Sequence, residues 1–347
     1  MSLNRNEEAL LLQLPKVDLH LHLDGCVKPG TLLELANEQG VSLPAADPEG
    51  LLPYMQVDDD CDSLVTYLSK FDFVLPLLQT PEALERVAYE VVEQCAEQNC
   101  KYVEVRFGPQ LHRIGGLSAS EVIAHVIKGL QRGEKDFGVI AQAIAICMRH
   151  QGIQENLEVI EAASQFTGKG LAAVDLAGDE ANYPAELFRQ VFELAQERGI
   201  PVTIHAGEAA GPGNIQEAIT KLGATRIGHG VRMRESAEVM ELVRRQGIVL
   251  EMCPISNIQT KAVSSWDAYP IRDYYDQGYL ITVNTDNPTV SGTTITKEYH
   301  VLMEKFNFTL QEIAAIILNG VDAALLDEQR KQAMRQEFQR KFAELEI

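Results

Sequence analysis

Eight short apolar, β-branched runs separated by segments of helical period predict an α/β protein, a (β/α)8 TIM barrel with additional helices capping its C-terminal face. The runs are VDLHLHL from 17, YVEVRF from 102, VIAQAIAIC from 139, LAAVDLA from 171, PVTIHAG from 201, RIGHG from 226, IVLEMC from 248 and LITVNTD from 280. Strands alternating with helices imply parallel βαβ units, and eight such strands fit a closed barrel better than an open sheet. The segment after the first run is too long for one crossover. It carries Glu34, Asp58, Asp59 and Asp60 between apolar pieces, so extra helices are expected over about 30–80, and again at the C-terminus.

The first run places His20 and His22 two residues apart, on one face of a strand, with Leu19, Leu21 and Leu23 on the other. Burying two imidazoles side by side calls for a common partner. Thr80 followed by Pro81 reads as an N-cap with proline at the first helical position, and Leu84, Val87, Ala88, Val91, Val92 and Cys95 recur at helical spacing. Pro184 to Arg198 and Ile215 to Leu222 read as further crossover helices. No Ser/Gly-rich linker, low-complexity tract or repeat interrupts the chain, so one domain spanning 1–347 is expected. Cys95 and Cys100 fit a helix followed by a turn into a strand, and none of the six cysteines forms a CxxC pair.

Hydrophobic residues are 46% and charged residues 23% of the 347, the balance of a folded soluble protein. The net charge of −20 disfavours nucleic acid and anionic membrane as partners and leaves small molecules as the expected ones. The opening MSLNRNEEALLLQLPK fits neither a secretory signal nor a membrane span, so a cytoplasmic location is expected. Composition sets no oligomeric state.

Four of the eight histidines stand at C-terminal ends of predicted strands: His20 and His22 on the first, His205 on the fifth, His229 on the sixth. Asp286 ends the eighth. In a barrel those ends converge on one face. Three neutral imidazoles and a carboxylate, with a water completing the shell, suit a single Zn²⁺, and such a nitrogen-rich site also admits Fe²⁺, Co²⁺ or Mn²⁺. A lone HxH is weak, since paired structural histidines explain it too. HxH, HAGE, GHG and TD in that order are far more specific. Glu208, beside His205, suits a general acid kept protonated by its surroundings, or else a cap on the helix after Gly211-Pro212-Gly213. His229, between two glycines that leave its ring little steric competition, is either a fourth ligand or a hydrogen-bonding partner of the metal-activated water; the second leaves the metal the open position catalysis needs. His112, His125, His150 and His300 lie off the strand ends and read as surface or core residues.

VDLHLHLDG, DLAGDE, TIHAGE, RIGHG and VNTDNP together resemble the adenosine deaminase family of the amidohydrolase superfamily, over about Lys16 to Tyr299. The chain lacks the HxE and PCxxC motifs of cytidine-deaminase-type enzymes. The resemblance implies that His20, His22, His205 and Asp286 hold Zn²⁺, that Glu208 gives a proton to purine N1, and that His229 positions the attacking hydroxide. Zinc lowers the pKa of its water toward ~7, and Asp286 can take the released proton. Adenosine or deoxyadenosine would leave as the inosine form plus ammonia. A relative that keeps the fold without activity would show a lost ligand or a lost Glu208, and neither is lost here.

By the same resemblance Asp24 contacts the ribose 5′-hydroxyl, HLDG marking nucleoside deaminases and HLEG adenine deaminases. Asp24-Gly25 also fits a plain turn closing the strand. Gly178 corresponds to the position whose backbone N–H meets purine N3. Tyr67-Leu68-Ser69-Lys70-Phe71 resembles an apolar gate helix over the pocket, and equally an amphipathic helix burying Leu64, Leu68, Phe71 and Leu75. The departure is Asn287, where the family more commonly has an aspartate that contacts purine N7. An amide donates to N7 at any pH, whereas a carboxyl must be protonated. That change keeps adenine and 6-aminodeoxyfutalosine open as alternative substrates.

Overall fold

The computed structural model describes residues 5–58, 61 and 64–347; Asp59 and Asp60, read above as part of the insertion, lie outside them. Eight parallel strands are present: β1 Lys16–His22, β2 Cys100–Phe107, β3 Ile140–Met148, β4 Leu171–Ala177, β5 Thr203–Ala206, β6 Arg226–His229, β7 Val249–Met252 and β8 Ile281–Val283. They run in sequence order as two four-stranded ladders, β1 to β4 and β5 to β8. Bridges Val174↔Val202 and Leu21↔Asp286 join the ladders at both seams. Val174 N–H donates to Pro201 O at 3.0 Å, and His22 N–H donates to Asp286 O at 2.7 Å. The expected (β/α)8 barrel is the fold.

The crossovers bury the faces their periodicity marks. Helix Pro81–Glu97 starts with the Thr80 hydroxyl accepting from Ala83 N–H, and its stripe from Leu84 to Cys95 is buried. Ser118 and Glu121 form a reciprocal capping box at the head of Ala119–Phe137. The segment expected as one helix over Pro184–Arg198 is a 3-10 turn, Ala185–Phe188, followed by Arg189–Glu197. Ala185 N–H is held by Asn214 Oδ1 and Glu186 N–H by Glu217 Oε2, which anchors this first turn to the neighbouring helix. That neighbour, expected from Ile215, begins at Pro212.

Helices Pro29–Gln39, Pro48–Met55 and Leu64–Val74 fill the long insertion after β1, and Glu34 there pairs outward with Arg86. Helix Leu310–Ala323 packs on β8 and β1, where a Cβ on Gly320 would come 2.4 Å from Val17 Cγ2; only glycine allows that approach. The closing helix, Glu328–Glu344, buries Phe338 and Phe342. All six cysteines are buried, with Cys95 ending a helix and Cys100 opening β2 as expected. No helix among the described residues is long and apolar enough to cross a membrane.

Candidate active site

At the C-terminal end of β1 the alternation separates its side chains as expected: Leu19, Leu21 and Leu23 lie in the apolar core. His20 and His22 face inward. His205 at the end of β5 and Asp286 join them, and their four ligand atoms all lie within 4.8 Å of one another. Asp286 is not on β8. That strand stops at Val283, and Asp286 swings into a left-handed conformation, φ 60°. Its N–H donates to His20 O at 2.8 Å and its carbonyl accepts from His22 N–H, so pairing with β1 carries the carboxylate inward. His229 is likewise left-handed, φ 65°. Such backbone strain in non-glycine residues concentrates at functional sites.

Both ring orientations are fixed from behind. His20 Nδ1 donates to Glu251 Oε2 at 2.9 Å, and His205 Nδ1 donates to Asp175 at 2.9 Å. Buried Arg106 ties the two carboxylates together at 2.8 Å each and donates to Leu19 O. With Nδ1 protonated, each Nε2 turns a lone pair inward. His20 Nε2 is buried without a hydrogen-bond partner among the described residues. His22 Nε2 lies 3.3 Å from both His205 Nε2 and Asp286 Oδ1. Burial, opposed by Asp175, takes His205 down to about 4, so the ring is neutral. Burial would raise Asp286, but the close His20 and His22 rings hold it well below the usual carboxylate range. Lone pairs converging on an ionised carboxylate are a donor set a Zn²⁺ ion satisfies.

Glu208 follows β5. Burial, with Asp286 and Glu180 nearby, pushes its carboxyl up to about 8, so it holds its proton at neutral pH. Its Oε1 accepts from Thr260, and its Oε2 is 3.5 Å from His229 Nε2. It does not cap the next helix, whose N-cap is Gly211 without a side-chain bond. The carboxylate that secures this loop is Glu180, which accepts from the N–H groups of Gly207, Glu208, Ala209 and Ala210. The glycine before His229 serves another ring: a Cβ on Gly228 would come 2.9 Å from His20 Cε1. Burial and the nearby His20 depress the His229 pKa strongly.

A cavity of about 410 Å³ opens onto this centre and is lined by His22, Asp24, Gly178, His205, Glu208, His229, Asp286 and Asn287. Every residue singled out in the sequence for chemistry reaches it except His20, which lies behind. Asp24 begins a 3-10 turn, yet its Oδ1 is buried without a partner among the described residues. Gly178 has φ 104°, which only glycine adopts readily. Asn287 packs over Gly25, where a Cβ would come 2.1 Å from its Oδ1. Along helix Leu64–Val74, Tyr67 is buried and bonds Ser291 Oγ at 2.8 Å, while Leu68 stays 42% exposed. Leu68, Phe71 and Leu75 line the cavity, so the apolar stripe walls a pocket and is not core; the Leu64 side chain lies outside the described residues. His150, read as a bystander, stands two residues past β3 on the cavity rim.

Sequence reasoning passed over Arg106, Asp175, Glu251, Ser256 and Asn257. Ser256 Oγ donates to Asp286 Oδ2 at 2.5 Å. The first three carried a signal, each being a charged residue inside an apolar strand run, costly to bury unless paired.

The family model described as adenosine deaminase matches residues 15–341. An adenosine deaminase of Clostridium botulinum (strain Okra / Type B1) is 41% identical over 324 residues, 93% of this chain and 96% of that protein. The chain belongs to the adenosine deaminase family. Members act in purine deamination as hydrolases of C–N bonds, and the amidohydrolase barrel recurs in solved structures. An amidohydrolase from Burkholderia ambifaria with bound Zn superposes with a TM-score of 0.90 at 25% identity, covering 99% of this chain and 95% of that one. The Arabidopsis N6-mAMP deaminase superposes at 0.84 with 28% identity, covering 95% and 99%.

Proposed function

We propose that the protein is a zinc-dependent deaminase of adenosine and 2′-deoxyadenosine, releasing ammonia and leaving inosine or 2′-deoxyinosine. One observation carries this: a convergent His/Asp cage, a protonated Glu208 and an unspent Asp24 carboxylate oxygen all face one cavity. His20, His22, His205 and Asp286 would hold Zn²⁺, which supplies a water acidified toward ~7 and so a nucleophile at neutral pH. Glu208 gives its proton to purine N1, making C6 electrophilic. His229 orients the attacking oxygen, and Asp286, steadied by Ser256, takes the proton released. The C6–N6 bond then breaks and the amine leaves as ammonia with one proton gained.

The cavity wall favours a nucleoside. Leu68, Phe71, Leu75, Leu111, Ile146 and Met148 give the purine an apolar slot, with the Gly178 N–H for N3 and the Asn287 amide for N7. Asp24 accepts from the ribose 5′-hydroxyl, a contact bare adenine lacks. The described lining holds Asp24, Asp72, Asp179, Glu208 and Asp286 but no Lys or Arg, so the phosphate of a nucleotide would meet several carboxylates and no guanidinium or ammonium. The buried free thiols of Cys26, Cys95, Cys100, Cys147 and Cys253 suit the reducing cytoplasm as its location.

The deciding measurement is ammonia release from adenosine, deoxyadenosine, adenine and 6-aminodeoxyfutalosine, and methylamine release from N6-methyl-AMP, alongside metal analysis of the purified protein. Turnover of the first two with about one zinc per chain is the expected result. No turnover of either would overturn the proposal.

A further inference from the structure

Two buried groups unused by the chemistry above reach His229 from behind. Asn257 sits on the short helix Pro254–Gln259 that follows β7, and Tyr269 follows the 3-10 turn Trp266–Ala268. Tyr269 OH donates to Asn257 Oδ1 at 3.1 Å. Asn257 Nδ2 is 2.9 Å from His229 Nδ1. On the other side of the ring, Nε2 is the atom that faces Glu208.

A neutral imidazole carries one proton, and which nitrogen holds it is set by the partner of the other. An amide can offer either a donor or an acceptor to the same place, so what orients the amide decides the tautomer. The phenol, spending its proton on Oδ1, turns the NH₂ toward Nδ1. We propose that Asn257, oriented by Tyr269, is a positioning residue that fixes His229 with its proton on Nε2, so that the ring presents a donor to the attacking oxygen. A donor binds a lone pair of that oxygen and holds it in place. An acceptor would instead compete with Asp286 for its proton.

The proposal rests on the deaminase reading for its consequence, but the tautomer is measurable without substrate. In the full-length zinc-loaded protein labelled with [¹⁵N]histidine, the His229 shifts should show Nε2 protonated and Nδ1 bare. Asn257→Asp is isosteric and offers only acceptors, so it should move the proton to Nδ1. A wrong tautomer in a catalytic imidazole costs up to about 10⁴ in kcat. For this variant the expected loss in kcat for adenosine is at least roughly 100-fold, with KM and zinc content nearly unchanged. Tyr269→Phe, which releases the amide to rotate, should lose roughly ten-fold or less.

A wild-type spectrum with the proton on Nδ1 would overturn the proposal, since the amide would then be turned the other way. Unchanged shifts and kcat in Asn257→Asp would overturn it too. The wild-type spectrum decides the matter even if the variants fail to fold. Absence of adenosine turnover in the wild type would instead break the deaminase reading and leave the tautomer assignment standing.

Discussion

The barrel buries charge at both ends, and the two clusters differ in what they leave over. Toward the N-terminal end, Glu104 accepts from Tyr102 OH, Leu325 N–H and the Arg226 guanidinium. Arg226 also reaches Ala323 O and Glu251. There the charges satisfy one another and face no cavity. At the C-terminal end, His20 Nε2, Asp24 Oδ1 and Asn287 Oδ1 are buried without partners among the described residues. Glu251 belongs to both clusters, with Oε1 on Arg226 and Thr203 and Oε2 on His20 and Arg106. Buried charge alone therefore does not mark a site. Unspent hydrogen-bonding atoms gathered at a cavity do, because a ligand that enters it can redeem their cost.

Substitutions at the two ends should separate activity from stability. The largest effect is expected from Glu208→Ala, which removes the proton donor; kcat should fall at least roughly 10²–10⁴-fold while zinc content and melting temperature hold. In the unaltered protein the folded-state pKa of Glu208 is raised to about 8, so the active, protonated form is present below that pH. The kcat/KM for adenosine should accordingly decline as pH rises through about 8, and a profile flat to pH 10 would contradict the acid role.

At the closed end, Arg226→Ala leaves the buried Glu104 carboxylate without its cation and Glu251 with Arg106 as its remaining one. Chemical denaturation should show a loss of about 3–5 kcal/mol. Equal stability with lost activity would erase the contrast between the ends.

Smaller and more selective is Asp24→Asn, expected to lower kcat/KM for adenosine roughly ten-fold through the lost charge-assisted bond, with any adenine turnover untouched. Least of all, Asn287→Asp should alter the pH dependence of substrate capture more than maximal turnover. Superimposable pH profiles would refute a donor role for that amide.

Much of the site was legible because barrel geometry converts sequence position into place. A histidine at a strand's C-terminal end must face the same mouth as every other such residue, so HLHL, TIHAGE and RIGHG sufficed to bring His20, His22, His205 and His229 together. Asp286 reaches that mouth too, but from beyond the strand it was expected to end, since the left-handed turn that swings it inward depends on pairing with β1 across 260-odd residues. The Leu68–Phe71–Leu75 stripe reads the same whether it covers core or cavity, because periodicity reports only which side is apolar.

The sequence by itself determined the strand order, the donor types and the acid, all of which follow from local period and side-chain chemistry. Tertiary structure alone decided the hydrogen-bond partner of each ring nitrogen. Arg106, Asp175 and Glu251 lie on three different strands, and Asn257 and Tyr269 on the segments that follow the last of these. Contacts of that kind are set by how the strands stagger around the barrel, and no pattern along one chain segment encodes the stagger.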